Sequence, residues 1–162
     1  MKRATPSSDP VVASSCTNGS VRRASRRLGQ IYDEAFVVCG LKATQYSLLS
    51  QIARSDEPRM RDLAQALVMD LSALGHTLKP LVRDGLVELQ IDETDRRSRR
   101  VLLTAAGQQK YQEARKISER VSTIFDKAFG AEETAKLREA LDFIASEGFA
   151  QSLLNELQAG QT

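Results

Sequence analysis

The residues of this chain that are best suited to chemistry are arginines gathered in one short stretch. Within residues 92–100, four of the last five residues are Arg96, Arg97, Arg99 and Arg100. Guanidinium groups form charge-assisted and often bidentate hydrogen bonds with phosphate oxygens. A protruding loop that carries them is therefore suited to the phosphates or the minor groove of duplex DNA.

A second group of arginines lies near the start of the chain, at Arg22, Arg23, Arg26 and Arg27. Such a run of arginines near a helix start more often forms a solvent-exposed face than a ligand site. A position near DNA phosphates remains an alternative for these residues. The net charge of the whole chain is only +2, so the partner must be inferred from where the charges lie. The length of 162 residues fits one domain with a proper core.

The arginine-rich stretch is placed by a predicted β-hairpin and by the helix before it. Leu86–Ile91 largely alternates apolar and polar residues, as a strand does, and Val101–Leu103 supplies a second apolar run after the loop. Asp70 and Gly85 bracket the helix as N-cap and stop. Its apolar residues recur every three or four positions, at Leu71, Leu74, Leu78, Leu81 and Val82. A helix beside a cationic hairpin suits DNA, because the major groove admits a helix.

The same region resembles a known family. Asp95-Arg96-Arg97, followed by Leu103-Thr104 and Gly107, resembles the D-x-R-R…L-T-x-x-G signature of the winged helix-turn-helix in the MarR (multiple antibiotic resistance regulator) family. Leu78-Lys79-Pro80-Leu81 and Asp84-Gly85-Leu86-Val87 are similar to the end of that family's recognition helix and to its first wing strand. The resemblance implies a fold that is mainly α with a small β-hairpin wing: a winged helix-turn-helix with N- and C-terminal dimerisation helices.

The rest of the chain is divided by composition, periodicity and this resemblance. The composition of residues 1–17 predicts a disordered or mobile tail. Residues 18–162 are expected to form a single MarR-type domain. The winged helix-turn-helix is expected over about 44–104, and the dimerisation helices over about 18–39 and 105–159. The expected helix caps, starts and breaks are, in chain order, Asn18 or Ser20, Thr44, Pro58, Thr104, Gly130 and Gly148.

The resemblance also implies which residues meet DNA. The first residues of a recognition helix face base edges, and later ones reach the backbone. Family members often carry Ser or Thr at the positions of Ala73 and Gly75, so hydrogen-bonded readout is expected mainly from Ser72 and His76. The implied contact residues on helix and wing are Ser72, Ala73, Gly75, His76, Lys79, Arg96, Arg97 and Arg99.

The D-x-R-R motif assigns two roles on the wing. Arg97 is the best candidate for insertion into a minor groove. Asp95, which stands beside guanidinium groups, is expected to form a charge-assisted pair that orients an arginine rather than to repel phosphate. Neutralising several phosphates in each subunit predicts an affinity that falls steeply with salt concentration.

Regulators of this family commonly bind an anionic or phenolic ligand between the dimerisation helices and the DNA-binding lobe. Tyr32, Phe36, Tyr46 and Tyr111 could line such a pocket for a small aromatic or anionic effector, with a cation from Arg26 or Arg27. At helical spacing beside Leu and Ile, aromatic residues are more often part of the core. Both interpretations of the four rings stay open.

Thiol oxidation is a second control used in the family. Cys16 precedes the first helix, close to Arg22 and Arg23, where a lowered pKa would make it a redox candidate. The match to peroxide-sensing relatives is displaced, since their cysteine falls at Asn18 when counted back from Tyr32. Cys39 lies at the end of an apolar stripe and is predicted to be a core residue. Two cysteines so placed predict neither an intrachain disulfide nor a zinc site.

These observations predict a homodimeric DNA-binding transcriptional regulator, a repressor released from a pseudo-palindromic operator by a small-molecule ligand. The alternatives are a redox sensor that uses Cys16, and a protein-interaction module that lacks specific DNA binding. An enzyme is disfavoured, because no nucleophile–base set or phosphate loop is evident, and the single histidine, His76, excludes a histidine-built metal site. No cofactor is expected. No apolar run approaches a membrane span and no secretory signal is evident, so a cytoplasmic location is expected.

Overall fold

The computed structural model of this chain describes residues 16–160. They form two compact units, residues 16–121 and residues 122–160. The predicted tail, apart from residues 16 and 17, lies outside the described residues. The elements are α1 (Thr17–Phe36), a 3-10 turn (Val37–Cys39), α2 (Ala43–Ser55), α3 (Met60–Ala66), α4 (Leu71–Arg83), β1 (Val87–Ile91), β2 (Arg99–Leu103), α5 (Ala105–Phe129), α6 (Ala131–Ala145) and α7 (Glu147–Ala159).

The first unit has an aliphatic core into which α2, α3 and α4 pack. Its largest buried side chains are Phe36, Leu48, Leu49, Leu63, Leu74, Leu78 and Leu81. The predicted apolar face of α4 is confirmed for its three central leucines but is wrong for Leu71 and Val82, which are 52% and 38% exposed. At about 100° per residue, these two side chains lie about 50° and 70° away from the centre of the buried stripe.

The hairpin pairs β1 with β2 in antiparallel register, with Val87 opposite Leu103 and Ile91 opposite Arg99. β2 begins at Arg99, so the predicted loop is two residues too long at its far end. The fully buried apolar side chains of the hairpin strands are Val87 and Val101, while Leu89 and Ile91 are exposed. The wing therefore projects from the core and does not continue it.

Two predicted helix starts are wrong. α1 begins at Thr17 with Cys16 as N-cap, before either Asn18 or Ser20. α2 begins at Ala43 and not behind a Thr44 cap. Its first N–H groups are satisfied from elsewhere, because Gln45 Oε1 accepts the N–H of Lys42 at 2.8 Å and Asp33 Oδ1 accepts the N–H of Ala43 at 2.7 Å.

Within the second unit, the helix break after Gly130 is as predicted, since Gly130 stands between α5 and α6 with φ of 106°. The break expected at Gly148 lies instead at Ser146. Ser146 Oγ donates to the carbonyl of Phe143 at 2.7 Å and accepts the N–H of Phe149 at 3.3 Å, so one hydroxyl ends α6 and caps α7. Large apolar side chains of this unit remain exposed, at Ile124, Phe143, Ile144, Leu153, Leu154 and Leu157.

Candidate nucleic-acid interface

The N-terminal end of α4 is fixed by its cap and leaves its outer face accessible. Asp70 Oδ1 accepts the N–H of Ala73 at 2.7 Å, as the sequence predicted. Ala73 and Gly75 are half-buried, and a Cβ built on Gly75 would meet no heavy atom within 4 Å. The three predicted contact residues of this helix that are exposed are Ser72, His76 and Lys79.

The outer face of α4 offers few hydrogen-bonding groups. Thr77 is turned back to its own helix, where its hydroxyl donates to the carbonyl of Ala73 at 2.8 Å. Of the exposed side chains, Ser72 and His76 carry the donors and acceptors closest to the helix start, and Lys79 carries a cation one turn later. Pro80 lies inside the helix, which nevertheless continues to Arg83. This face can therefore approach another surface closely while making few directed contacts.

On the wing, Arg96, Arg97 and Arg99 are exposed, as predicted. Arg97 and Arg99 line one recess together with residues from the start of α3 and with Leu71, the first residue of α4. The structure thus brings two of the predicted wing residues beside the predicted helix. Arg61, which sequence reasoning did not select, is exposed and lines the same recess. Its signal in the sequence was a basic pair at the start of a helix, Arg59 and Arg61.

Arg100 differs from the other three wing arginines. Its side chain is half-buried, its Nε lies 2.7 Å from Asp92 Oδ2, and one of its terminal nitrogens donates to the carbonyl of Glu57 at 3.0 Å. Arg59 reaches the same carboxylate, with its Nε 3.0 Å from Asp92 Oδ2. Asp92 itself is fully buried. Where the wing meets the start of α3, a carboxylate is therefore held between two guanidinium groups.

The environment of Asp92 strongly favours its charged form. The Thr94 hydroxyl donates to Asp92 Oδ1 at 2.6 Å, and the N–H groups of Thr94 and Asp95 donate to the same oxygen at 2.9 Å. The Thr94 hydroxyl and the Arg59 guanidinium hold the pKa of Asp92 well below its usual range, against the opposing effect of desolvation. The carboxylate is consequently ionised throughout the physiological pH range.

The predicted role of Asp95 needs correction. Among the described residues, the carboxylate that pairs with wing arginines is Asp92 and not Asp95. Asp95 Oδ1 accepts the backbone N–H of Arg97 at 3.0 Å, and its carbonyl accepts the N–H of Ser98 at 2.8 Å. Asp95 therefore shapes the turn, while Asp92, which faces the start of α3, forms the charge-assisted pairs.

The four aromatic rings proposed for a ligand pocket are close together. Ring centroids lie 5.8 Å apart for Tyr32 and Phe36, 4.8 Å for Phe36 and Tyr46, and 6.2 Å for Tyr46 and Tyr111. Phe36 and Tyr111 belong to the buried core. Tyr32 and Tyr46 are half-buried and line a surface recess, whose polar lining also includes Arg54.

The other residues that the sequence suggested for effector binding or redox control do not line that recess. Arg26 and Arg27 line a different recess on α1. Cys16 is exposed ahead of α1, whereas Cys39 is buried and its Sγ donates to the carbonyl of Phe36 at 3.2 Å. Neither thiol takes part in a disulfide within the described residues. In the same part of the chain, no group of three or more His, Cys, Asp or Glu side chains is placed to hold a metal ion.

Comparisons with known proteins decide the family. Residues 40–98 match the sequence profile of the MarR family. The transcriptional regulator MosR of M. tuberculosis, solved in complex with DNA, is 32% identical, and the alignment covers 78% of this chain and 96% of MosR with a TM-score of 0.67. This chain belongs to the MarR family. Its mainly helical fold with a two-stranded wing is the one that the sequence predicted.

More distant MarR-family structures share the fold. MarR of E. coli without ligand is 22% identical, covering 82% of this chain and 98% of that protein, with a TM-score of 0.66. CouR of Rhodococcus jostii RHA1, solved with p-coumaroyl-CoA, is 21% identical over 80% of this chain and 92% of CouR, with a TM-score of 0.70. No curated protein sequence matches the chain. Among residues 16–160, no helix is long and apolar enough to cross a membrane.

Proposed function

We propose that this MarR-family chain acts as a homodimeric repressor that binds a pseudo-palindromic operator in duplex DNA and leaves it when a small effector binds. The observation that carries the proposal is the shared surface of α4 and the wing. Leu71 at the start of α4 and the wing residues Arg97 and Arg99 line one recess, so a duplex against α4 would also meet the wing.

Each part of this surface has a separate task in the proposal. Ser72 and His76 supply the hydrogen bonds to base edges in the major groove, and Ala73 can contact a thymine methyl. Gly75 allows close approach, because it has no side chain there. Lys79 and the wing arginines Arg96 and Arg99 bind phosphates, while Arg97 enters the minor groove. Arg61, near the same recess, is a further phosphate contact.

The homodimer is supported by the apolar side chains left exposed on the second unit. Phe143 is 62% exposed in the single chain, and large apolar side chains on both α6 and α7 are exposed with it. Several large exposed apolar side chains on two neighbouring helices favour a protein interface in this unit. A second copy would bury these faces by two-fold symmetry, and that symmetry would be repeated in the operator.

The effector is proposed to bind at the recess lined by Tyr32 and Tyr46. Tyrosine hydroxyls and the Arg54 guanidinium favour a small aromatic ligand that carries a phenol or carboxylate. The p-coumaroyl-CoA complex of CouR, which is a distant relative, gives independent support for an aromatic effector in this fold. The test is release of bound DNA by 4-hydroxybenzoate, with Arg54→Ala as the variant that should lose the response and Arg120→Ala as its matched control.

Cys16 offers an alternative release signal, because its thiol is exposed at the start of α1. In this version, peroxide treatment lowers DNA affinity of the wild type and leaves the Cys16→Ser variant unaffected. Mass spectrometry of the treated protein would show whether the thiol is modified. Loss of binding that persists in Cys16→Ser contradicts this alternative.

The decisive experiment for the function is retention of genomic DNA by the purified full chain. Fragments retained in the presence of excess nonspecific competitor should share a pseudo-palindromic sequence, and light scattering should give the mass of a dimer. Binding that is lost to competitor would favour the second candidate, a winged helix used for protein interaction. The sparse outer face at Ala73 and Gly75 is the observation that keeps this candidate open.

A further inference from the structure

Besides the burial of Val87 and Val101 in the core, the wing is attached to the first unit through the segment that leads into α3. The N–H of Val101 donates to the carbonyl of Pro58 at 2.9 Å, and Arg59 and Arg100 form an isolated antiparallel bridge. The Arg100 guanidinium reaches the carbonyl of Glu57. The hairpin base is therefore joined by backbone and side-chain bonds to the residues just before the first helix of the helix-turn-helix.

Asp92 lies at the centre of this attachment. Its Oδ2 lies 3.0 Å from the Nε of Arg59 and 2.7 Å from the Nε of Arg100. The other carboxylate oxygen takes the hydroxyl of Thr94 and the N–H groups that follow it in the chain. One buried carboxylate thus connects three segments: the start of α3, the far strand of the wing and the loop between the two strands.

The same carboxylate divides the arginines of the wing into two groups. Arg59 and Arg100 are partly buried and form ion pairs with Asp92. Among the described residues, Arg96, Arg97 and Arg99 form no such ion pair and are exposed. The loop that carries Arg96 and Arg97 begins with the N–H groups that Asp92 holds, and Asp95 then fixes the N–H of Arg97.

We propose that Asp92 is a positioning residue for DNA binding, which holds the wing loop so that Arg97 and Arg99 face the surface they share with α4. The inference rests on the proposed DNA-binding function. Asp92 itself is buried, so its effect on DNA binding must pass through the arginines of the loop. Without the carboxylate, the loop loses three hydrogen bonds at its first turn, and two guanidinium groups at the wing base lose their partner.

The test is a double-mutant cycle on the full chain with a 30-base-pair duplex trimmed from a retained genomic fragment. Asp92→Asn is expected to weaken binding about tenfold, because the neutral amide no longer forms ion pairs with Arg59 and Arg100 and is a weaker acceptor for the N–H groups of the loop. In an Arg97→Ala background, the same change should cost less than about threefold, since the arginine that Asp92 positions is absent. Asp84→Asn is the matched control: Asp84 pairs with Arg83 outside the wing and should leave affinity unchanged.

Amide hydrogen exchange in the absence of DNA supplies an independent measurement. Asp92→Asn should speed exchange at the N–H groups of Thr94 and Asp95 about threefold or more, because a neutral amide oxygen accepts their hydrogen bonds less strongly than a carboxylate oxygen, while leaving the amides of α2 unchanged. If Asp92→Asn does not fold, Arg59→Gln takes its place, because it removes one partner and keeps the carboxylate paired with Arg100. Circular dichroism and thermal unfolding show which variants are folded.

The outcomes separate this inference from the proposed function. An equal loss of affinity in the wild-type and Arg97→Ala backgrounds would mean that Asp92 acts only through general stability, which overturns the inference. Unchanged affinity in a folded Asp92→Asn or Arg59→Gln variant overturns it as well. A wild-type chain that retains no fragment contradicts the proposed function itself, and that result is obtained before any variant is measured.

Discussion

α4 and the wing are held in place by opposite kinds of interaction. α4 is fixed by leucines that pack into an aliphatic core, at Leu74, Leu78 and Leu81. The wing has little apolar burial beyond its base and is fixed by the buried carboxylate of Asp92. Their outer surfaces are also opposite, since α4 presents small side chains and the wing loop presents guanidinium groups.

In the proposed function, this contrast gives the two tasks of DNA recognition to different regions. A close, sparsely polar helix face can read shape and a few base edges, whereas exposed guanidinium groups contribute affinity that is insensitive to sequence and sensitive to salt. Mutations in one region should therefore change a different observable from mutations in the other. The predictions below test that separation, from the largest expected effect to the smallest.

Leu78→Ala should lower the free energy of unfolding by about 2–5 kcal/mol, because it leaves a cavity under α4. Urea unfolding followed by circular dichroism measures the change. Val82→Ala removes apolar side chain from the same helix at a position that is 38% exposed and should cost less than about 1 kcal/mol. Similar losses for the two variants would mean that α4 is not held by the central leucines.

Arg97→Ala should weaken DNA binding about tenfold across operator and nonspecific sequences and lower the salt slope by about 1 in each subunit. The affinity is measured by fluorescence anisotropy at several salt concentrations. Arg120→Ala is the matched control, because residue 120 lies about 22 Å along α5 from its first residue. An unchanged salt slope in Arg97→Ala would remove the phosphate or minor-groove role of the wing tip.

His76→Ala should change sequence preference more than affinity. Losing one donor to a base edge costs about 1 kcal/mol of discrimination at one operator position, with little change in the salt slope. Selection from a duplex library randomised at the operator measures that preference. Lys79→Ala, as the comparison on the same helix, should lower affinity evenly over all sequences. A His76→Ala variant with an unaltered base preference would place readout elsewhere.

The buried carboxylate of Asp92 predicts a pH dependence of the free energy of unfolding. Because the folded state lowers the pKa of Asp92, its contribution to stability is fully present above the unfolded pKa of about 3.9 and is lost as pH falls below it. The stability difference between wild type and Asp92→Asn should therefore shrink between about pH 5 and pH 3. Urea midpoints at each pH measure it, and a constant difference would contradict the ionised pairing.

The turn that leads into α4 contains a residue with a strained backbone. Val68, in the turn between α3 and α4, has φ of 53° and is 71% exposed, so a β-branched residue adopts a left-handed conformation with little burial in return. Val68→Gly should raise the free energy of unfolding by about 0.5 kcal/mol, as relief of strain outweighs the added chain entropy. Val38→Gly, at an 80% exposed position without positive φ, should lower it.

The sequence predicted the features of this fold that depend on neighbouring residues. The leucine repeat of α4, the Asp70 cap, the Thr104 cap and the stop at Gly130 all involve groups within a few positions of one another. Where two nearby residues could each break a helix, the predicted position of the break was wrong. Ser146 and Gly148 are two residues apart, and the serine hydroxyl, which satisfies both helix ends, determines the break.

The contacts at the wing base could not be predicted, because they join residues far apart in the chain. Arg59 and Asp92 are 33 positions apart, and nothing in either segment indicates which carboxylate meets which guanidinium. The same holds for α2, where Asp33 of the preceding helix satisfies the N–H of Ala43 and makes a Thr44 cap unnecessary. The predicted contact residues were chosen from the sequence alone, whereas the recess that Arg97 and Arg99 share with Leu71 depends on the packing of α3 against the hairpin.

The open space beside Gly75 allows the outer face of α4 to be changed by substitution. Since a Cβ there would touch no heavy atom within 4 Å, an alanine could replace Gly75 at the middle of the outer face without displacing a neighbour. Such a change would also favour the helix, because glycine is about 1 kcal/mol less favourable than alanine in a helix interior. New target preferences could therefore arise at this position by a single codon change without loss of folding.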